Sequence, residues 1–252
     1  MKSFIFAAAS FAAFATASGA VELRLALPED EDLRAGLRAA SLLETTITGE
    51  EEAERRDIIA AAQADYRRLL AVLFENGYFG PIISIQVDGV EATDLPVVGS
   101  DAPIESVRIS VIKGQRFLFG EATIGPRFSD TELPEGFAPG QRAATEVLRE
   151  TANVVVEAWR DRGYAKADLT EERIVANHEA GELDATLIVT PGPRVAFGGI
   201  TVVGNEDVRE RPIRRIVDLR KGVLYDPEEI RLAARRLQRT GAFRSVSIVE
   251  AE

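Results

Sequence analysis

The chain has 252 residues, 46% of them hydrophobic and 28% charged, a formal net charge of −11 and no cysteine. This is globular composition, and without cysteine there can be no disulfide framework, no thiolate zinc site and no thiol nucleophile. The negative balance argues against nucleic-acid binding, which needs a basic surface to neutralise phosphates. At the N-terminus, Lys2 precedes an almost wholly apolar run from Ser3 to Ala15, and Ala17-Ser18-Gly19-Ala20 offers small residues to a peptidase. The run is shorter than the roughly 18 residues of a spanning helix. Residues 1–20 therefore read as a secretory signal cleaved near Ala20, with an uncleaved inner-membrane anchor as the other reading.

A repeat organises the rest. Lys113-Gly114-Gln115-Arg116-Phe117-Leu118-Phe119-Gly120 aligns without gaps on Pro191-Gly192-Pro193-Arg194-Val195-Ala196-Phe197-Gly198, and Gly163 aligns on Gly241 at the same shift of 78 residues. A shift that holds from a strand start to a helix end marks duplicated supersecondary units. An earlier copy ends in Asn76-Gly77-Tyr78, the counterpart of Arg162-Gly163-Tyr164. Three tandem units follow, at 21–112, 113–190 and 191–252.

In the first, Glu31 to Ser41 and Asp57 to Asn76 read as helices, the second burying Ile58, Ala62, Tyr66, Leu69 and Leu73. The acidic run Glu50-Glu51-Glu52 with Glu54 reads as favourable charge at a helix start rather than a cation site. In the second, Arg116 to Ile124 is β-rich and Gln141 to Arg162 is helical, with Val147, Thr151, Val154, Val155, Ala158 and Trp159 on one stripe. Strands follow at Leu169 to Ala176 and Leu183 to Thr190 across a turn at Glu179-Ala180-Gly181. A short helix over Ser129 to Phe137 is poorly marked, because it contains Pro134 and Gly136. In the third, a short helix over Val208 to Leu219 precedes a long one capped by Asp226-Pro227-Glu228-Glu229, with Glu229 placed to close a capping box. Ile230, Ala233 and Leu237 face inward and Gly241 ends the helix.

The expected fold class is α+β: three βααββ modules, each a small sheet with both helices on one face. Shifting Leu183 to Thr190 by 78 gives 261 to 268, past Glu252, so the third module is read as lacking its last strand and the chain as a fragment of a longer protein.

Reactive groups are sparse. The single histidine, His178, lies in a polar turn and reads as solvated rather than catalytic. No histidine pair suits a metal and no phosphate-cradling loop is present, so no cofactor, metal or catalytic residue is expected. Gly198-Gly199 reads as a bulge or a close backbone approach. Net charge climbs from −10 over 21–112 to −5 over 113–190 and +3 over 191–252. Arg211 and Arg215 on the short helix and Arg235 and Arg239 on the long one form a basic face, which either meets anionic lipid headgroups or is solvated.

The signal, the three units, the helix ends at Gly77, Gly163 and Gly241, and the strand Ile200-Thr201-Val202-Val203-Gly204-Asn205 resemble the POTRA repeats of the BamA and TamA superfamily. Three repeats and the segment Leu237 to Val246 are most similar to TamA. The resemblance implies a periplasmic region preceding an outer-membrane β-barrel that is absent here. Implied partners are nascent outer-membrane proteins and an inner-membrane-anchored TamB-like protein, with no enzymatic activity. Two-partner secretion transporters and inner-membrane division proteins carry similar repeats. The resemblance also places the free sheet edge on the strand after each long helix: Ile82 to Asp88, Leu169 to Ala176 and Phe243 to Glu250. An edge can take on an extended client strand by backbone pairing. Ile83, Ile85 and Val87 in the first edge and Phe243, Val246 and Ile248 in the third are the candidate partner-binding residues. The middle edge ranks lower, because Glu171, Glu172 and Arg173 also serve to deter pairing.

Overall fold

A computed structural model describes residues 21–49, 53–97, 102–204 and 208–249. The expected signal at 1–20 and the acidic run Glu50 to Glu52 lie outside these residues. The chain divides into two compact units, residues 1–72 with 82–112, and residues 73–81 with 113–252.

In the first unit β1 (Glu22–Ala26) leads into α1 (Glu31–Ala40), α2 (Leu42–Thr48) and α3 (Arg55–Glu75), whose last turn counts with the second unit. Asp30 caps α1 by accepting the Leu33 amide at 3.1 Å. Then β2 (Ile82–Val87), β3 (Val90–Glu91), a 3₁₀ turn at Ala92–Asp94 and β4 (Ser106–Ile112) complete a four-stranded sheet in the order β1-β4-β2-β3. β4 is parallel to β1 and antiparallel to β2, with Leu23 opposite Val107 and Ile85 opposite Ile109. Ile58, Ala62, Leu69 and Leu73 are buried in α3 as their spacing requires.

α2 was not expected. It starts because Ser41 accepts the Glu44 amide, and because the buried Asp65 carboxylate of α3 accepts from Ser41 Oγ at 2.6 Å, Leu42 N at 2.8 Å and Leu43 N at 3.0 Å. A carboxylate can be held away from water only when its lone pairs are met in this way. Asp65 therefore ties the α1–α2 corner to the long helix.

The second unit contains β5 (Leu118–Gly125), α4 (Thr145–Arg160), β6 (Asp168–Asn177) and β7 (Glu182–Thr190), then α5 (Glu210–Val217) and α6 (Pro227–Gln238). Its sheet has the order β5-β7-β6, so the strand made last lies in the middle, parallel to β5 and antiparallel to β6. Phe117, Phe119, Leu183 and Leu187 meet Leu148 and Ala152 of α4 in one core cluster. The segment from Ser129 to Phe137 forms turns rather than a helix, as Pro134 and Gly136 dictate. Trp159 packs between Phe128 and Tyr164 while its Nε1 donates to Pro126 O, so it is structural.

Ile213 and Val217 of α5 meet Ala233 and Leu237 of α6, with Ile200, Val202, Phe243, Val246 and Ile248 packed against them. Asp226 caps α6 through the Glu228 amide, but Glu229 does not close a box, since its carboxylate lies 3.6 Å from Arg236 instead. Neither Ile200 to Gly204 nor Phe243 to Val249 forms a ladder, contrary to the strands expected there. The reason is visible in β5-β7-β6: the two outer strands bond to the central one, and the described residues provide no central strand between these two segments.

One contact recurs within the second unit. Gly77 O accepts the Phe117 amide and Gly163 O accepts the Val195 amide, each at 2.8 Å. Isolated bridges at Leu118–Arg142 and Ala196–Leu224 follow in the same register. Gly163 has φ +91°, and a Cβ there would meet Leu224 Cδ1 at 2.5 Å, so only glycine fits.

Candidate strand-docking edges and basic helices

The first expected edge is β2. Ile85 and Val87 have buried side chains and Ile83 is half-buried, so what these residues could offer a partner is backbone. That backbone is largely engaged. Asp88 (φ +49°) and Gly89 (φ +82°) form a two-residue turn that folds β3 back onto β2, setting Val90 opposite Val87 and Glu91 opposite Gln86. Two successive left-handed residues give the turn that matches strand twist.

Beyond that pair the chain turns away and side chains take over. Ile85 N donates to Glu91 Oε1 at 3.0 Å and to Tyr66 Oη at 3.2 Å, and Ile85 O lies 3.3 Å from the same hydroxyl. Tyr66 also donates to the Glu91 carboxylate, whose second oxygen accepts from Ser84 Oγ at 2.9 Å. Burial first, then the Glu91 carboxylate, push the Tyr66 phenol up to about 12. Burial opposes ionisation of Glu91, but the hydrogen bonds from Tyr66, Ile85 and Ser84 outweigh it and hold the carboxyl below its ordinary value.

The middle edge is the more open. β6 is the outer strand of its sheet, and a register shift between Leu169 and Glu171 interrupts its pairing with β7. Glu171, Glu172 and Arg173 are exposed, and a bulge with charges is a recognised way of blunting an edge. Ile174, Val175 and Ala176 continue past them in regular register. A groove of about 330 Å³ lies between α4 and the first half of β6, lined by Leu148, Ala152, Val156, Leu169 and Leu187 and by the polar Arg149, Asn153, Arg160, Asp168 and Glu172. This combination of open strand and neighbouring trough is absent from the sequence pattern, because it depends on β7 taking the central place.

The third expected edge, with Phe243, Val246 and Ile248, is an extended segment whose apolar side chains pack on the α5–α6 core. Arg211, Arg215, Arg235 and Arg239 are all exposed. Arg235 is partly neutralised by Glu228, which also pairs with Arg231 at 2.8 Å. His178 stands edge-on to Phe117 with ring centroids 5.3 Å apart. Among the described residues no three acidic or histidine side chains converge as a metal site, and no helix is long and apolar enough to cross a membrane.

The solved POTRA3–5 region of BamA from Haemophilus influenzae superposes with a TM-score of 0.59, covering 91% of this chain and 88% of that one at 17% identity. The fold is that of tandem POTRA domains. Residues 195–252 match the POTRA family model, described as a surface antigen variable number repeat. The outer membrane protein assembly factor BamA of Neisseria meningitidis serogroup B is 26% identical over 158 residues, which is 58% of this chain and 19% of that protein. The chain thus spans about a fifth of the length of this relative.

Proposed function

We propose that the chain is the periplasmic POTRA region of an outer-membrane protein assembly factor and that it binds extended client segments by adding them to the β6 margin of its central module. The observation that carries this reading is the coincidence of an edge strand with the α4–β6 groove, whose lining mixes aliphatic and charged side chains. Backbone groups along β6 supply sequence-tolerant pairing, and the groove beside its first half, at Asp168, Leu169 and Glu172, takes side chains of the incoming strand. Tolerance of sequence suits a protein that handles many unfolded barrel proteins. The similarity to BamA supports the assembly role. The finer, TamA-like assignment, with a TamB-like inner-membrane partner and a barrel in the full-length protein, rests on three modules behind an apolar leader.

A photoreactive residue placed at Val175 in the full chain tests the docking strand against unfolded outer-membrane protein. Crosslinks at Val175 are expected to exceed those from Glu121 on the opposite margin, β5, by roughly fivefold or more, the selectivity a preferred edge gives. Equal yields at the two positions, or none, overturn the reading. Copurification with a TamB-like protein tests the finer assignment.

A further inference from the structure

The outer margin of β2 resembles a strand-pairing site that the chain fills itself. Continued as an ordinary hairpin, the residue after Glu91 would pair with Ile85, but the 3₁₀ turn at Ala92–Asp94 carries the backbone away. In its place the Glu91 carboxylate supplies the acceptor for Ile85 N–H, the function a neighbouring strand's carbonyl would perform, and the Tyr66 hydroxyl, which donates to that carboxylate, lies over Ile85 C=O at 3.3 Å. Ser84 Oγ fixes the carboxylate from the side. Gln63 Nε2 donates to Ala92 O at 2.9 Å and Leu95 O at 2.8 Å, pinning the chain just after β3 to the long helix.

The substitute is also short. β3 has two residues and hangs on the Asp88–Gly89 turn, so few backbone bonds hold it. We infer that β2 is a second strand-docking site, held shut by β3 and the Tyr66–Glu91 pair, and that an extended polypeptide pairs with it by displacing this built-in occupant. The polypeptide it suits is neutral or basic, because the freed Glu91 carboxylate stays beside the margin and residues 21–112 carry a net −10. The inference rests on the reading that these modules bind client strands, and it assigns that activity a closed site besides the open one at β6.

The test uses the full chain with Tyr66→Phe and Glu91→Gln combined, read by amide exchange and by photocrosslinking to unfolded outer-membrane protein from the exposed Ile82. Exchange at Ile85 is expected to quicken by about tenfold or more while Ile109 in the central strand stays protected. Crosslinking at Ile82 is expected to rise severalfold, with the Val175 crosslink unchanged. Gly89→Val loosens the same turn from outside: it strains a left-handed residue, and a Cβ there touches nothing within 4 Å, so it should also raise the Ile82 crosslink. If Val175 crosslinks persist and neither variant increases those at Ile82, the closed site does not exist although strand binding does. If no crosslink forms at either position, strand binding fails and this inference with it.

Discussion

At the level of single residues, Asp65 and Tyr66 show how adjacent positions on one helix do unrelated work. Asp65 turns inward to cap α2, and removing its carboxylate strands the Ser41 hydroxyl and two amides in a dry site. Asp65→Ala is expected to lower the stability of the first unit by about 3 kcal/mol, the scale of hydrogen bonds to a buried charge, in urea denaturation. A change under about 1 kcal/mol would mean that water replaces the carboxylate. Tyr66 makes its own prediction through protons. Its phenol titrates near 12 in the folded chain against an ordinary 10.0, so the folded state binds that proton more tightly. The associated stability is full below pH 10 and drains away as pH rises from 10 to 12. Tyr66→Phe should therefore flatten the wild-type loss in that window, as read by the difference between the two denaturation curves. Glu91 works in the opposite sense: its lowered pKa contributes stability above the ordinary glutamate range, lost as pH falls through it.

Elements follow from local pattern where partners are near in sequence. The Asp226 cap of α6 and the three strands β5, β6 and β7 come directly from periodicity and turn residues, and the bounds of these strands and of α4 lie within four residues of expectation, but the buried face of α4 is Leu148, Thr151, Ala152, Val155 and Val156, which shares only Thr151 and Val155 with the expected stripe. The Asp88–Gly89 pair carried a legible hairpin signal that would have revealed β3. The Tyr66–Glu91 closure was not legible, because it joins positions 25 residues apart through side chains that each read as ordinary. Nor was the α4–β6 groove, which exists only once the strand order is known. The helix ends, in contrast, were marked by glycine, and their use is now plain: Gly163 O accepts the amide of Val195 as the chain continues past β7. Gly163→Ala is expected to destabilise the second unit by about 2 kcal/mol, combining left-handed strain with displacement of Leu224. Equal stability of this variant and the parent in urea would show that the contact yields freely.

Over the whole chain the strongest trend is charge, from −10 in residues 21–112 to +3 in 191–252. If the basic faces of α5 and α6 meet anionic lipid, reversing Arg211, Arg215, Arg235 and Arg239 to Glu should weaken sedimentation with phosphatidylglycerol vesicles by about a hundredfold or more, at about 1 kcal/mol per residue. Added salt should mimic the substitution. Unchanged sedimentation would leave these arginines as solvated helix faces. Both sheets also share an arrangement that bears on how the chain comes to be folded. In each, the strand at the centre, β4 or β7, is encoded after the strands on either side of it that close the pairing. A polypeptide that emerges N-terminus first presents those flanking strands before the central one that joins them. Each sheet must wait, incomplete, until its final strand arrives, so exposure to chaperones and proteases during synthesis is set by the time taken to deliver the last few residues of that sheet.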